Sequence, residues 1–172
     1  MTFKTIFENN DFMIIYKHEN IPVHMGKNIS GLMEAIRQET GYEKLYLVHR
    51  LDKITSGLMI IAKNKSTAAL INEKFQNHEM EKYYLALSLH KPKKKMGSLK
   101  GDLVKTRGGS FRLNRTSKSP SVTKFYSQKL TKDLFLFLVR PFTGKTHQVR
   151  VILKSIGSPI LGDQRYEKKD SV

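Results

Sequence analysis

His49, Arg50 and Asp52 stand close together in Val48-His49-Arg50-Leu51-Asp52-Lys53-Ile54-Thr55-Ser56-Gly57, a polar corner that runs straight into an apolar stretch. Asp52 is the lone Asp or Glu between Glu43 and Glu73, an interval that also holds Lys44, Lys53, Lys63 and Lys65. A carboxylate in such a place can cap a turn, pair with Arg50 or Lys53, or attack or deprotonate a substrate. The residue types alone leave all three uses open. Capping or local pairing is the commoner use of such a residue; the surroundings speak for the third, because an acid repels phosphate and is a poor choice on a surface meant for a polyanion unless it performs chemistry.

The case for a polyanion comes from charge. Among 172 residues, 31 Lys and Arg face 15 Asp and Glu, a net charge of +16. An excess of that size attracts phosphate and gains from counterion release, which makes nucleic acid the leading partner. An anionic membrane fits less well: no apolar run approaches the roughly 20 residues that span a bilayer, and the cations are scattered over many elements instead of lining one helix. The opening MTFKTIFENNDF has no continuous apolar segment of the secretory kind. Cysteine is absent, so disulfides and thiolate metal sites are excluded, which suits a reducing cytosol. A cytoplasmic monomer is the expectation.

Other chemistries fail on spacing. Thr-Gly-Lys-Thr-His-Gln (143–148) lies between an apolar run and a helical pattern, as a phosphate-binding loop would. The position five before Gly144 is Val139 where that loop needs glycine. His49-Arg50-Leu51-Asp52 lacks the contiguous His-Arg-Asp of a kinase catalytic loop, and no Asp-Phe-Gly follows. His18, His24, His49, His78, His90 and His147 are dispersed without a helical i, i+4 pair beside acids, so no metal site is expected. No cofactor is implied.

The elements that must position Asp52 can be outlined from periodicity. Residues 12–17, 57–63, 83–89 and 134–139 are short apolar runs that predict strands, the last bounded by Pro141. Residues 29–41 predict a helix with Ser30 as N-cap, Leu32, Met33 and Ile36 on one side and Gly41 as its stop. A second helix is expected over 66–80 from Ser66. A third follows Pro141, where Val149, Ile152, Leu153 and Ile156 repeat at helical spacing until Gly157 and Pro159. Residues 90–120 are rich in glycine, proline and cations; they predict a solvated hairpin or loop, or a basic arm along a phosphate backbone. Interleaved strands and helices predict one mixed α/β domain of the α+β type over 1–172, with a mainly antiparallel sheet flanked by helices and loops.

His49-Arg50-Leu51-Asp52-x-x-Thr-Ser-Gly followed by an aliphatic run resembles the catalytic signature of the RluA-type pseudouridine synthases. Other stretches carry the same resemblance in the same order. Residues 11–24 resemble the family's opening strand and loop, 81–87 its Lys-x-Tyr-x-Ala element, 117–125 its Lys-x-Ala/Pro-x-x-Thr strand. Residues 141–166 resemble Gly-Arg-Thr-His-Gln-x-Arg with the closing Gly-Asp-x-x-Tyr. The likeness covers about 11–166. It departs from the family at Lys17-His18-Glu19-Asn20, where many members have Lys-Pro-x-Gly, at Lys145 for an arginine, and at Ser158 for a frequent histidine. The resemblance implies the catalytic domain without the S4 RNA-binding module, so the basic surface of the domain itself must hold RNA.

The resemblance implies isomerisation of uridine to pseudouridine in structured RNA, an rRNA or tRNA stem-loop, along an RNA-binding cleft. It makes Asp52 the catalytic residue and Arg150 the cation that pairs with it. Tyr84 becomes the ring that stacks on the uracil, and Arg50 the side chain that helps extrude the nucleotide and fills its gap. Lys93, Lys94, Lys95, Arg107, Arg112 and Arg115 are expected on phosphates. A non-catalytic RNA-binding or ribosome-associated module on the same fold is the alternative; an intact Asp52, Tyr84 and Arg150 set argues against it.

Overall fold

The computed structural model describes residues 2–23 and 31–167. They form two compact units that divide between Met80 and Glu81.

In the first unit, β1 (Phe3–Glu8), β2 (Phe12–Lys17), β4 (Gly57–Ala62) and β3 (Tyr46–Leu47) lie in that order in one sheet. Each pairing is antiparallel. Strict alternation along β2 buries Met13, Ile15 and Lys17 on one face, opposite Ile61, Met59 and Gly57 of β4. Apolar burial explains the first two positions; the third, a lysine, needs its own account. Helix α1 (Leu32–Thr40) buries Leu32, Met33 and Ile36, and Gly41 closes it at φ 72°, its N–H donating to Arg37 O at 2.9 Å. Its N-cap is Gly31, one residue past the expected Ser30, which lies outside the described residues.

Helix α2 (Lys65–Gln76) starts from Asn64, not Ser66. The Asn64 side-chain Oδ1 accepts from the Thr67 N–H at 2.8 Å and from the Ser66 hydroxyl at 2.7 Å, so it meets a first-turn donor that Ser66, already inside the helix, cannot meet as a cap. The helix stops at Gln76, short of the expected residue 80, because Asn77 caps it and His78 turns to φ 60°.

The second unit is a five-stranded antiparallel sheet in the order β5 (Tyr84–Ser88), β9 (Leu134–Pro141), β8 (Ser121–Thr131), β6 (Met96–Lys105), β7 (Phe111–Asn114). Its covered face carries Ala86, Phe125, Phe135, Phe137 and Val139, packed with Leu153 of helix α3 (Gln148–Ser155). Gly157, at φ 82°, and Ser158 end α3 by donating to Lys154 O and Leu153 O. The basic stretch 90–120 is ordered for much of its length: β6 and β7 form a hairpin turned at Arg107–Gly109, where Gly108 and Gly109 adopt φ 70° and 73°. Asp102 pins the base of the hairpin, accepting from the Thr116 hydroxyl and the Lys118 and Ser119 amides. Helices and strands thus alternate only loosely, and with every pairing antiparallel the fold is α+β.

β6 changes partner in mid-strand. Gly101 pairs with Ser121 of β8 and the next residue, Asp102, pairs with Asn114 of β7. A Cβ at Gly101 would lie 2.3 Å from the Asn114 carbonyl oxygen, so backbone approaches where a side chain would otherwise stand. Gly101→Ala should destabilise the protein by about 2–3 kcal/mol and loosen the β6–β7 hairpin; thermal melts and amide exchange of residues 102–114 check this.

Lys17 is fully buried. Its Nζ donates to His18 O at 2.9 Å, Ile21 O at 3.1 Å and Lys53 O at 3.1 Å, which uses all three ammonium protons. Burial pulls its pKa below the ordinary lysine range against the opposing charges of Asp52 and Glu19. Lys17→Met, similar in volume, leaves three carbonyls without their donor and should lower stability by roughly 3 kcal/mol. A urea-melt midpoint within error of the wild type would contradict this.

Candidate active site

Asp52 occupies the connection between β3 and β4, and that connection is held at several points. Val48 and Leu51 are buried. His49 accepts from the Ile60 N–H through Nε2 at 2.9 Å while its ring lies 4.8 Å from that of Phe75, so this histidine is a strut between the loop, β4 and α2. The Thr55 N–H donates to Asp52 O at 3.0 Å, closing a turn over Lys53 and Ile54. Lys53 O is one of the three acceptors of Lys17. Asp52 is half-buried, and Arg50, two residues earlier, is exposed. The carboxylate therefore sits on a loop tied to β2, β4 and α2 within its own unit, close enough to Lys17 for the two charges to act on each other. A short polar turn after an apolar strand can be rigid only if such ties exist.

In the second unit, Tyr84 opens β5 opposite Val139, half-buried, its ring against the core cluster of the covered sheet face. Tyr83 points the other way, exposed, with its hydroxyl on Glu81 and the Arg140 guanidinium 5.5 Å from its ring. The alternation expected for a strand holds at this pair.

Arg150 is on the first turn of α3 and only 8% exposed. Its Nε donates to Asp163 Oδ2 at 2.7 Å and a terminal nitrogen donates to Asp163 Oδ1 at 2.8 Å, a two-pronged pair that uses two of the five guanidinium N–H donors. The Tyr166 ring lies 5.0 Å from the guanidinium carbon. Burial alone would raise the Asp163 pKa; the bonds and charge of Arg150 and the amides of Arg165 and Tyr166 outweigh it and hold the carboxyl below the ordinary range. Asp163 was missed as a site residue, although the closing Gly-Asp-x-x-Tyr stretch contains it.

Gln148 explains why Arg150 is presented reproducibly. Its buried side-chain amide accepts from the Thr143 hydroxyl and the Lys145 N–H and donates to Val122 O and Thr123 Oγ1, so the loop 142–147 is tied to β8 before α3 begins. His147 caps the helix at φ 56°, a left-handed conformation that a non-glycine residue holds only when its surroundings enforce it. Ser158, where the family often has histidine, is buried, and its hydroxyl has no hydrogen-bond partner among the described residues.

The six candidate phosphate contacts are all exposed, and they form two groups. Lys93, Lys94 and Lys95 lie on the connection from β5 into β6. Arg107 is on the turn of the β6–β7 hairpin, Arg112 in β7, and Arg115 just after it. The full length of β6 separates Lys95 from Arg107, about 30 Å at the usual strand rise, while β7 runs back so that Arg112 lies opposite Val104 and Arg115 follows Asn114, which faces Asp102 near the middle of β6. Among the described residues no group of three or more His, Asp or Glu side chains could hold a metal ion, and no helix is long and apolar enough to cross a membrane.

Residues 11–155 match the family model described as RNA pseudouridylate synthase. A Haemophilus influenzae protein named as an RNA pseudouridine synthase is 46% identical over 168 residues, covering 98% of this chain and 75% of its own length. A Rickettsia typhi protein named ribosomal large subunit pseudouridine synthase C is 31% identical over 96% of this chain, which spans only 56% of it. The solved structure of human RNA pseudouridylate synthase domain containing 4 superposes with a TM-score of 0.81 at 28% identity, over 97% of this chain and 70% of that one. The family match runs through the Asp52 loop, Tyr84 and Arg150 alike, and on it the chain belongs to the RNA pseudouridylate synthases, isomerases that act on RNA.

Proposed function

We propose that this chain converts uridine to pseudouridine in a structured RNA with Asp52 as the catalytic carboxylate. The observation that carries the proposal is a lone acid held on a loop braced by His49, Leu51 and the Lys17–Lys53 contact, inside the motif that the family match covers. The names of the Rickettsia relatives favour large-subunit rRNA over tRNA as the source of that RNA.

The reaction breaks the bond between uracil N1 and ribose C1′, turns the detached base and joins C5 to C1′, and the proton on C5 is exchanged for one on N1. Product and substrate are isomers, so no electrons enter or leave. Asp52 serves either by attacking C1′, as the nucleophile of a retaining glycosidase does, or by removing a ribose proton. Either role needs the ionised carboxylate. Arg150 supplies a cation that favours that form, since a positive charge within about 4–6 Å stabilises a carboxylate. Tyr84 offers a flat ring on which the freed base can turn in its plane. Arg50, exposed beside the loop, fills the space left by the everted nucleotide; eversion costs a few kcal/mol and least in an unpaired loop, which points to a stem-loop target. Lys93–Lys95 and the hairpin arginines hold the flanking backbone.

Asp52→Asn should abolish single-turnover pseudouridine formation, by at least about a thousandfold, while RNA affinity stays equal or rises because one repelling charge is gone. Pseudouridine mapping of total RNA made with and without the chain identifies the target uridine. Turnover by Asp52→Asn would remove Asp52 from the mechanism.

With six cations on phosphates, log Kd should change with log salt by a slope of roughly 5, and Arg115→Ala should reduce it by about 1 whatever the RNA sequence. An affinity that is flat from low to moderate salt would contradict the backbone contacts.

A further inference from the structure

We propose that Tyr166 is a positioning residue that couples the β6–β7 hairpin to Arg150. The coupling rests on the proposed function, in which the hairpin holds RNA and Arg150 serves the catalytic carboxylate.

Tyr166 is 2% exposed and touches both partners. Its ring faces the Arg150 guanidinium at 5.0 Å, and its own backbone amide donates to Asp163 Oδ1, the carboxylate that grips that guanidinium. Its hydroxyl points the other way. The oxygen accepts from the Phe111 N–H, the first residue of β7, at 2.9 Å, and lies 2.8 Å from His147 Nδ1, the cap of α3. Burial holds the phenol pKa above its ordinary range. Phe111 and His147 also meet edge to face at 5.6 Å, as do His147 and Tyr166. Next door, Arg165 donates to Gly108 O in the hairpin turn at 2.5 Å. The segment that orients Arg150 thus holds the hairpin at its turn and at the start of its return strand. Arg107 lies in that turn, and Arg112 directly follows Phe111.

The arrangement has a mechanical consequence. RNA that draws on Arg107 or Arg112 pulls on the backbone of Gly108 and Phe111; the pull at Phe111 reaches Tyr166 directly through its hydroxyl, and the pull at Gly108 passes through the Arg165 side chain to the segment that carries Asp163. The left-handed His147 and a half-exposed turn with two left-handed glycines are the parts that let the hairpin shift, and the buried Tyr166 ring and the ion pair follow it together. RNA seated on the hairpin therefore sets the orientation of the Arg150 guanidinium, and catalysis waits on that seating.

Tyr166→Phe removes the oxygen and keeps the ring. The single-turnover rate at saturating RNA and the RNA Kd are measured separately for wild type, Tyr166→Phe, Arg112→Ala and the double variant. Tyr166→Phe should slow the rate about three- to thirtyfold. Arg112→Ala should slow it in the wild-type background, add nothing to the rate in Tyr166→Phe, and weaken binding in both. A purely structural role lowers the melting temperature but leaves the two rate effects multiplicative; that result, or a Tyr166→Phe rate equal to wild type, overturns the proposal. Should Tyr166→Phe fail to fold, Arg165→Ala cuts the other tie and must show the same non-additivity with Arg112→Ala, and multiplicative effects there overturn it equally. Asp52→Asn run in parallel separates the outcomes: an active Asp52→Asn rejects the function, whereas an inactive one with multiplicative rates rejects the coupling alone.

Discussion

A guanidinium cannot be taken out of water without a partner, and Asp163 is the partner that lets Arg150 sit in the wall of α3. Burying either ion alone costs several kcal/mol; the pair is tolerable because its geometry is two-pronged and the carboxylate's remaining lone pairs meet the Arg165 and Tyr166 amides. Much of the second unit follows from that requirement. The chain must return after α3 to bring residue 163 against residue 150, and the return places Tyr166 over the guanidinium and under the hairpin. The ion pair adds less to stability than it does to shape, because it dictates one direction for a cation that a surface arginine would leave free to swing.

The first unit meets the same constraint by other means. Lys17 is buried, and three backbone carbonyls take its protons. Two of those carbonyls belong to the segment that leaves β2, and the third belongs to the residue after Asp52. A cation in the core thereby becomes a clasp between two loops, and the residue presented by one of them is the acid proposed for the chemistry. In both units a buried positive charge holds loops in place.

The strands and helices with clear periodicity were legible in the sequence: β2, β4, β9, α1 with its Gly41 stop, and the α3 pattern of Val149, Ile152, Leu153 and Ile156. Caps were less legible, because Asn64 and Ser66 are both good N-cap types and the choice between them depends on which reaches the Thr67 amide. β1 and β8 were hard to see because their patterns run against the usual rule: β1 exposes Ile6 and Phe7, and β8 turns Ser121, Thr123 and Ser127 inward while Tyr126 and Leu130 face out. The hairpin cations illustrate the same point. Their charge was evident from composition, but their spread along β6, from Lys95 before its start to Arg107 beyond its end with Arg115 near its middle, is set by strand length and by the change of partner at Gly101.

By itself the sequence determined that the chain is strongly cationic, lacks cysteine, carries one acid in a basic interval, and holds the ordered motifs of a known family of RNA isomerases. These are properties of residue type and spacing, which survive without coordinates. Only the tertiary structure decided that Asp163 is a partner of Arg150, that Lys17 clasps the Asp52 loop, and that Tyr166 joins the hairpin to the arginine. Those facts are meetings between residues as far apart as 55 positions, and no local propensity encodes them. They arise because charges and amides removed from water must be satisfied by whatever the fold brings within reach.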